Sequence, residues 1–210
     1  MIAISNKLRN HGIEFERFNA IDGTLFSNLR NHIPSYLTLG AFGAFYSHLS
    51  IYSQAIDRGE KRILILEDDI EVYKDVHDVA DIILPDSQYD LLYLAYIPVL
   101  NGEWNFDQMP IPPFVPNIIK ATNLWSCMAY AINEKLMKHM LKSFTYMFDC
   151  EIDVYFAKYI QTNPYFNCKA AVPALFCGET FPSSDTTPNL PSNLKTRSVD
   201  ARYSNPADYK

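Results

Sequence analysis

The sequence lacks any dense run of lysine and arginine. Its 210 residues contain 18 Lys and Arg against 24 Asp and Glu, so the formal net charge is -6 at pH 7. Proteins that bind nucleic acid normally present a basic face to the phosphates. We therefore expect no general nucleic-acid binding, although a local basic patch stays open.

Zinc-binding cysteine pairs, a signal peptide and a membrane span are missing as well. No C-x-x-C pair occurs among the four cysteines, which argues against a zinc site and favours buried thiols in a reducing compartment. The first residues have no long apolar region, and every apolar run falls far short of the roughly 20 residues that cross a bilayer. The expected location is cytoplasmic, and any membrane contact would be peripheral.

The residues that are present indicate a globular α/β domain. Hydrophobic residues make up 48% of the chain and charged residues 20%, which suits a protein with a real core. We assign residues 1–178 to one domain. Residues 179–210, which are rich in Pro, Ser, Asn and Thr, form an extended C-terminal tail that packs on this domain.

Apolar spacing predicts alternating strands and helices. The clearest elements are an amphipathic helix over 41–57, a continuous apolar strand over 63–66, a strand over 90–95, and a helix over 134–144 capped by Asn133. Weaker patterns predict helices over 2–11, 76–84 and 153–159, strands over 13–18, 118–121, 127–132 and 171–176, and a long loop over 98–117. The alternation predicts a mixed, mainly parallel central sheet.

Three adjacent carboxylates, Glu67-Asp68-Asp69, follow the apolar strand directly. Ligands of open α/β sheets bind beyond the carboxyl ends of strands. Repulsion between adjacent carboxylates there is relieved by a hard cation such as Mn²⁺ or Mg²⁺. A solvated acidic turn is the plain alternative, and the triplet alone does not decide between the two.

The chain resembles glycosyltransferase family 25, the lipooligosaccharide sugar transferases and their collagen galactosyltransferase relatives. The order of the matching motifs is the family's order, and together they cover nearly the whole chain. In sequence they are GIEF at 12–15, FNAIDG at 18–23, LGAFG at 39–43 before Ser47-His48, ILILEDDI at 63–70, DLLYL at 90–94, AYAI at 129–132, Asp153, and PSSD at 182–185.

The resemblance implies a GT-A type, Rossmann-like fold that binds a nucleotide sugar. It implies a metal-dependent inverting transferase that moves galactose or glucose from a UDP-sugar to a hydroxyl of a glycan or of hydroxylysine. The metal, Mn²⁺ or Mg²⁺, would be held by Glu67 and Asp69. The implied donor-binding residues are Asp22, His48, Asp68 and Asp185, the last in a tail that lies near the donor site.

Asp153 is the expected general base for the acceptor hydroxyl. Plainer roles compete with each of these assignments: a helix N-cap for Asp153, an ordinary turn for Asp22, a structural histidine for His48, and a loop residue for Asp185.

Two departures from the family pattern keep other functions open. Relatives begin with a strand that carries the base and ribose, whereas Met1 falls within the helix that follows that strand, so the first strand is expected to be lacking. Ala41 stands where relatives have a carboxylate. A catalytically impaired binding or scaffold protein is the second hypothesis, and a homo-oligomer is left open. A metal-dependent phosphohydrolase or nucleotidyltransferase comes third, since no GxxxxGK[ST] phosphate loop occurs.

Overall fold

The structure is a computed structural model that describes residues 2–32, 34–35, 37–72, 88–100, 103–104, 117–144, 150–172 and 174–178. The helices in chain order are α1 (Ile2–Asn10), a 3-10 helix (Gly23–His32), α2 (Leu39–Asp57), α3 (Glu134–Ser143) and α4 (Ile152–Tyr155), which continues into a π-helical turn (Phe156–Ile160). The strands are β1 (Arg62–Leu66), β2 (Ile70–Val72), β3 (Leu91–Leu100), β4 (Glu103–Trp104), β5 (Asn117–Lys120), β6 (Leu124–Asn133), β7 (Cys168–Val172) and β8 (Phe176–Gly178).

The two helices with the clearest sequence patterns are confirmed, and local chemistry explains their ends. The Thr38 side chain accepts a hydrogen bond from Ala41 N at the start of α2. Asn133 accepts one from Leu136 N at the start of α3. Each cap satisfies a backbone N–H that the first turn of a helix leaves without an intrahelical partner.

The central sheet has the strand order β1-β6-β3-β7-β5, with β4 paired to β3 at its side. Within the described residues β3 and β7 form its one parallel pair, and the other neighbours are antiparallel. The domain is therefore α/β with a mixed sheet, but the expectation of a mainly parallel sheet was wrong. The apolar runs of β1 and β3 do point the same way, as predicted, yet β6 lies between them and runs opposite to both.

This arrangement brings several chain segments to one edge of the sheet. Because β1, β3 and β7 share a direction, their carboxyl ends lie at the same edge. The antiparallel β6 begins at that edge, so its first residues lie beside the residues that follow β1. The end of β1 and the start of β6 therefore form the framework of the candidate site.

Apolar side chains cover both faces of the sheet. Ile65, Tyr93 and Tyr130 belong to the core that α2 and α3 cover. Their strand neighbours, including Leu92 and Ala131, face a second cluster that contains Ile70 and Phe176. β1 has apolar contacts on both faces, although Ile65 alone among its residues is fully buried.

Several weaker predictions need correction. Residues 13–18 form no strand, since their backbone runs irregularly and mostly exposed along the surface. The strand expected over 171–176 is two strands, β7 and β8, on different sheets. The segment 98–117 is not loop throughout: β3 extends to Leu100, and β4 pairs back onto it. The predicted helix over 76–84, most of the 98–117 segment and the tail over 179–210 lie outside the described residues.

Two expectations drawn from composition can be compared with the described part of the chain. Cys127, Cys150 and Cys168 are free and buried, as expected for core thiols. No helix within the described ranges has the length and apolarity that a membrane span requires.

Candidate functional site

The acidic triplet lies at the turn from β1 to β2. The Glu67 backbone N–H donates to Met128 O at 2.8 Å, which continues the β1–β6 pairing by one residue. The chain then turns, and fully buried Ile70 anchors the start of β2. The Asp68 side chain is exposed, Glu67 and Asp69 are half-buried, and Asp69 Oδ1 is shielded from solvent. The turn thus presents carboxylates at different depths.

His48 is buried in α2 with its ring facing Glu67. Its Nε2 lies 3.4 Å from Glu67 Oε1. Its Nδ1 lies 2.7 Å from the Tyr130 hydroxyl, which in turn lies 2.5 Å from the Tyr52 hydroxyl. We call Tyr52, Tyr130 and His48 the hydrogen-bonded chain, and Glu67 faces its His48 end. The hydrogen-bonded chain runs from the core between α2 and β6 to the carboxylate that ends β1.

Asp153 lies in the first turn of α4, next to the start of β6. Its Oδ2 accepts from Ser126 N at 3.3 Å and its Oδ1 accepts from Val154 N at 2.8 Å. Burial raises the pKa of this carboxyl to about 6, the two backbone N–H groups oppose the shift, and the charges of Glu151 and Glu67 add to it. Asp153 is thus a carboxyl that changes protonation near neutrality.

Asp153 is not the N-cap of its helix, which was its plainer role. Glu151 is the N-cap residue, and it makes no side-chain capping bond. The Asp153 carboxylate points instead to the start of β6, where it accepts from Ser126 N.

Ser126 lies between Asp153 and Glu67 and has an unusual backbone conformation. Its φ is 85°, in the left-handed region that non-glycine residues rarely adopt. The pairing of β3 with β6 shifts register at this part of β6, as at a β-bulge. The conformation directs Ser126 N toward Asp153, while Met128 N donates to Ser126 Oγ at 3.2 Å. Met128 O accepts from Glu67 N, so one short stretch of β6 positions both sides of the site.

Gln161 holds the start of β6 from the other side. Its amide accepts from Leu124 N at 2.9 Å and donates to Leu124 O at 2.6 Å and to the Tyr93 hydroxyl at 2.8 Å. The side-chain amide of Gln161 thus pairs with both the N–H and the carbonyl of Leu124, as the backbone of a neighbouring strand would. The strained bulge therefore begins from a fixed residue.

Asp22 has a clear local role. Its Oδ1 accepts from Thr24 N and from Thr24 Oγ1, and these two bonds lower its pKa, the side-chain bond more than the backbone one. The neighbouring Ile21 N donates to Ser47 Oγ at 2.8 Å, which docks this turn against α2 one residue before His48. The side chain of Asp22 remains exposed, so the expected donor contact stays a prediction alongside the turn role.

The predicted site residues thus fall into three groups. His48, Glu67 and Asp153 are brought together across the end of β1 and the bulge of β6. Asp22, Asp68 and Asp69 lie on turns near this framework, and their donor and metal contacts stay predictions. Asp185 lies outside the described residues.

The carboxylates fit a metal ion only in part. Glu67 and Asp69 supply the hard oxygen atoms that Mn²⁺ and Mg²⁺ favour. No group of three or more His, Cys, Asp or Glu side chains converges as a ready ligand set within the described ranges. Magnesium-type ions are commonly held by one or two carboxylates together with substrate phosphates. The turn suits that kind of site, in which the diphosphate of a donor would complete the ligand shell.

Comparison with known proteins decides the family. The sequence model of glycosyltransferase family 25 (LPS biosynthesis protein) matches residues 2–156, which include α1, the acidic triplet, the β6 bulge and Asp153. The chain belongs to glycosyltransferase family 25.

Its curated relatives include proteins described as inactive. A glycosyltransferase 25 family member of Drosophila melanogaster is 35% identical over 102 residues, which are 40% of this chain and 17% of that protein. The inactive glycosyltransferase 25 family member 3 of Mus musculus is 32% identical over 97 residues, 37% of this chain and 16% of that protein. The human protein of that name is 25% identical over 144 residues, 60% of this chain and 23% of that protein. The chain therefore spans less than a quarter of these relatives' lengths.

Sequence reasoning missed Tyr52 and Tyr130 as site residues. Tyr52 follows His48 by four residues, which places both on one helix face, so the spacing offered a clue. Tyr130 comes from β6, and its contact with His48 depends on the sheet order. Ser126 offered no clue either, because serine has no special preference for a positive φ.

Proposed function

We propose that this family 25 protein is a metal-dependent, inverting hexosyltransferase. The donor is a UDP-sugar carrying galactose or glucose, and the acceptor is a hydroxyl of a glycan or of hydroxylysine. The observation that carries the proposal is the site itself: a carboxyl with a pKa of about 6, Asp153, lies across a strained strand from Glu67 and the acidic turn. The GT-A type of the nucleotide-binding fold belongs to the same proposal.

Asp153 suits the role of general base. A base works best when its pKa is close to the working pH, and such groups typically contribute about 10²- to 10⁴-fold in rate. The acceptor hydroxyl attacks the anomeric carbon of the donor, its proton passes to Asp153, and the bond to the diphosphate breaks with UDP as the leaving group. One displacement of this kind inverts the anomeric carbon.

The acidic turn suits the diphosphate end of the donor. Glu67 and Asp69 would hold the Mn²⁺ or Mg²⁺ ion, which supplies charge neutralisation at the leaving diphosphate when bound. Exposed Asp68 is free to reach a donor hydroxyl. Asp22, on the turn docked against α2, and Asp185, in the tail, complete the proposed donor contacts. Both ring nitrogens of His48 face protein groups, so its part in donor binding is indirect.

Calorimetry with UDP, with and without Mn²⁺, tests the donor site. We expect UDP to bind measurably tighter with Mn²⁺, and Asp69→Asn to remove that difference. Glu71→Gln is a matched control, because Glu71 is an exposed carboxylate two residues away whose partner is Lys7 at the surface. The proposal would be contradicted if the affinity for UDP were the same with and without Mn²⁺. It would also be contradicted if Glu71→Gln reduced the effect of Mn²⁺ as much as Asp69→Asn does.

A catalytically impaired binding protein is the second candidate. Relatives described as inactive favour it, and so does Ala41. This residue is 3% exposed in the first turn of α2, at the position where the family resemblance implies a carboxylate. Release of hexose from UDP-galactose or UDP-glucose that disappears in Asp153→Asn would exclude this candidate. Mn²⁺-dependent UDP binding without release or transfer would establish it.

A further inference from the structure

The hydrogen-bonded chain leads from the core to the carboxylate of Glu67, and two of its members have no role in the function proposed above. Tyr52 and Tyr130 are fully buried, and His48 is 5% exposed. Burial raises the pKa of both phenols well above the usual value. Both therefore keep their hydrogen at neutral pH, and each hydroxyl has one hydrogen to donate.

The order of the donors along this chain follows from counting hydrogens. If His48 carried its hydrogen on Nδ1, the Tyr130 oxygen would accept it, and Tyr130 would have to donate to Tyr52. The Tyr52 hydrogen would then have no acceptor within the described part of the chain, and a buried polar group without a partner costs about 1–3 kcal/mol.

The other end of the chain favours the same order. With the hydrogen on Nδ1, the lone pair of His48 Nε2 would face the Glu67 carboxylate at 3.4 Å, and two electron-rich atoms repel. With the hydrogen on Nε2, each group donates to the next: Tyr52 to Tyr130, Tyr130 to Nδ1, and Nε2–H toward Glu67. This order gives both phenol hydrogens an acceptor and turns Nε2–H toward the carboxylate.

We infer that Tyr130 is a positioning residue, which keeps the ring hydrogen of His48 on Nε2 so that His48 directs the Glu67 carboxylate toward the donor site. A second partner commonly selects which ring nitrogen of a histidine carries the hydrogen. The consequence for UDP binding rests on the proposed function. The tautomer itself does not, because it is a property of the protein without donor or metal.

Tyr130→Phe and Tyr52→Phe form a matched pair of variants. Each removes one hydroxyl from the same buried contact and leaves the ring in place. Tyr130→Phe breaks two hydrogen bonds and Tyr52→Phe breaks one, so Tyr130→Phe should cost more in stability. Tyr130→Phe takes away the hydrogen that Nδ1 accepts. Tyr52→Phe leaves the Tyr130–His48 bond intact. Because stability differs between the variants for this reason, the tautomer of His48 and the affinity for UDP are measured rather than stability.

Long-range ¹H–¹⁵N NMR of the ring nitrogens, without UDP or Mn²⁺, is the first measurement. The His48 signals are assigned by their loss in His48→Gln. We expect an Nε2–H tautomer in the wild type and in Tyr52→Phe, and a mixture of tautomers in Tyr130→Phe. An Nδ1–H tautomer in the wild type, or the same spectrum in both tyrosine variants, would overturn the inference. The wild-type spectrum decides even if a variant does not fold.

Affinity for UDP with Mn²⁺ is the second measurement. Loss of a partner that orients a metal ligand typically weakens metal binding about 10- to 100-fold, and we expect about tenfold for Tyr130→Phe because it acts through His48. We expect little change for Tyr52→Phe. Equal weakening in the two variants would overturn the positioning role. Absence of any UDP binding would refute the proposed function and leave the tautomer result standing.

Discussion

At the scale of single residues, the environment of Asp153 sets its chemistry. The shift in its pKa comes first from burial and then from the negative charges of Glu151 and Glu67, while two backbone N–H groups act against it. A carboxylate that only needed capping bonds would have a lowered pKa, as Asp22 has. The two aspartates therefore differ. Hydrogen bonds within a turn keep Asp22 ionised, whereas burial brings the pKa of Asp153 close to neutral pH.

The raised pKa of Asp153 makes stability depend on pH in a definite direction. The folded pKa of about 6 exceeds the ordinary aspartate value of 3.8, so the folded state binds the proton more tightly. The contribution of this group is fully present below about pH 4 and is lost as the pH rises through 6. At about 1.36 kcal/mol per pKa unit, the loss amounts to at most roughly 3 kcal/mol.

Urea unfolding of the wild type and Asp153→Asn at pH 5 and pH 7 measures this contribution. We expect the wild type to lose stability relative to the variant between the two pH values, because the amide does not titrate. The subtraction removes the other titrating groups, which both proteins share. A difference between the two proteins that stays constant with pH would contradict the raised pKa.

At the scale of elements, sequence periodicity predicted those segments whose contacts are local. Helix α2, strand β1 and helix α3 with its Asn133 cap follow from the spacing of apolar residues and from a polar residue at the helix start. Residues 13–18 show the limit of this reasoning. Ile13 and Phe15 alternate with charged residues as in a strand, yet they pair with no strand, and Arg58 at the end of α2 binds Glu16 instead.

The close approach of α2 to the turn before the 3-10 helix depends on glycine. A Cβ added at Gly43 would lie 2.5 Å from Ile21 O and 2.7 Å from Gly23 N. Both are backbone atoms, which cannot rotate away. Ser47, one turn further along α2, accepts from Ile21 N, so helix and turn dock together. This contact fixes the part of α2 that carries His48.

We therefore expect Gly43→Ala to destabilise the fold by about 1–3 kcal/mol, the usual cost of forcing extra atoms into a packed site. Gly59→Ala is the control, because nothing lies within 4 Å of the added Cβ and only the positive φ of 76° is disturbed. That strain costs about 1–2 kcal/mol and leaves the contact of α2 with the turn unchanged. Thermal unfolding measures both variants. UDP affinity should fall in Gly43→Ala and stay unchanged in Gly59→Ala; equal affinities would disprove the role of this contact in the site.

At the scale of the whole molecule, the order of the strands in the sheet could not be predicted from the sequence. The apolar runs of β1 and β3 indicated strands, and their common direction was right. Nothing in either run shows that residues 124–133 lie between them, because that placement depends on contacts between segments far apart in the chain. The same limit applies to the site. Family resemblance could point to His48, Glu67 and Asp153, but Tyr130 and the strained Ser126 were recognised only from the structure.

Asp90 ties distant parts of the chain together at the opposite edge of the sheet. Its Oδ1 accepts from Asn133 Nδ2 at 2.8 Å, and its Oδ2 accepts from Asn167 N at 2.8 Å and from Lys135 Nζ at 3.0 Å. The start of β3, the start of α3 and the turn before β7 meet at this one carboxylate. Its side chain is 9% exposed, so solvent could not replace these bonds easily.

Asp90→Ala should therefore destabilise the entire domain, by about 2–4 kcal/mol, since it leaves several buried or half-buried donors without an acceptor. Lys135→Met is the matched control. It removes one donor, whose side chain is 39% exposed, and keeps the stem beside Tyr165, so its cost should be clearly smaller. Because Asp90 lies at the edge away from the acidic turn, UDP affinity below the unfolding temperature should match the wild type in both variants. A loss of UDP affinity in folded Asp90→Ala, or equal destabilisation by the two substitutions, would show that this carboxylate does more than join the three segments.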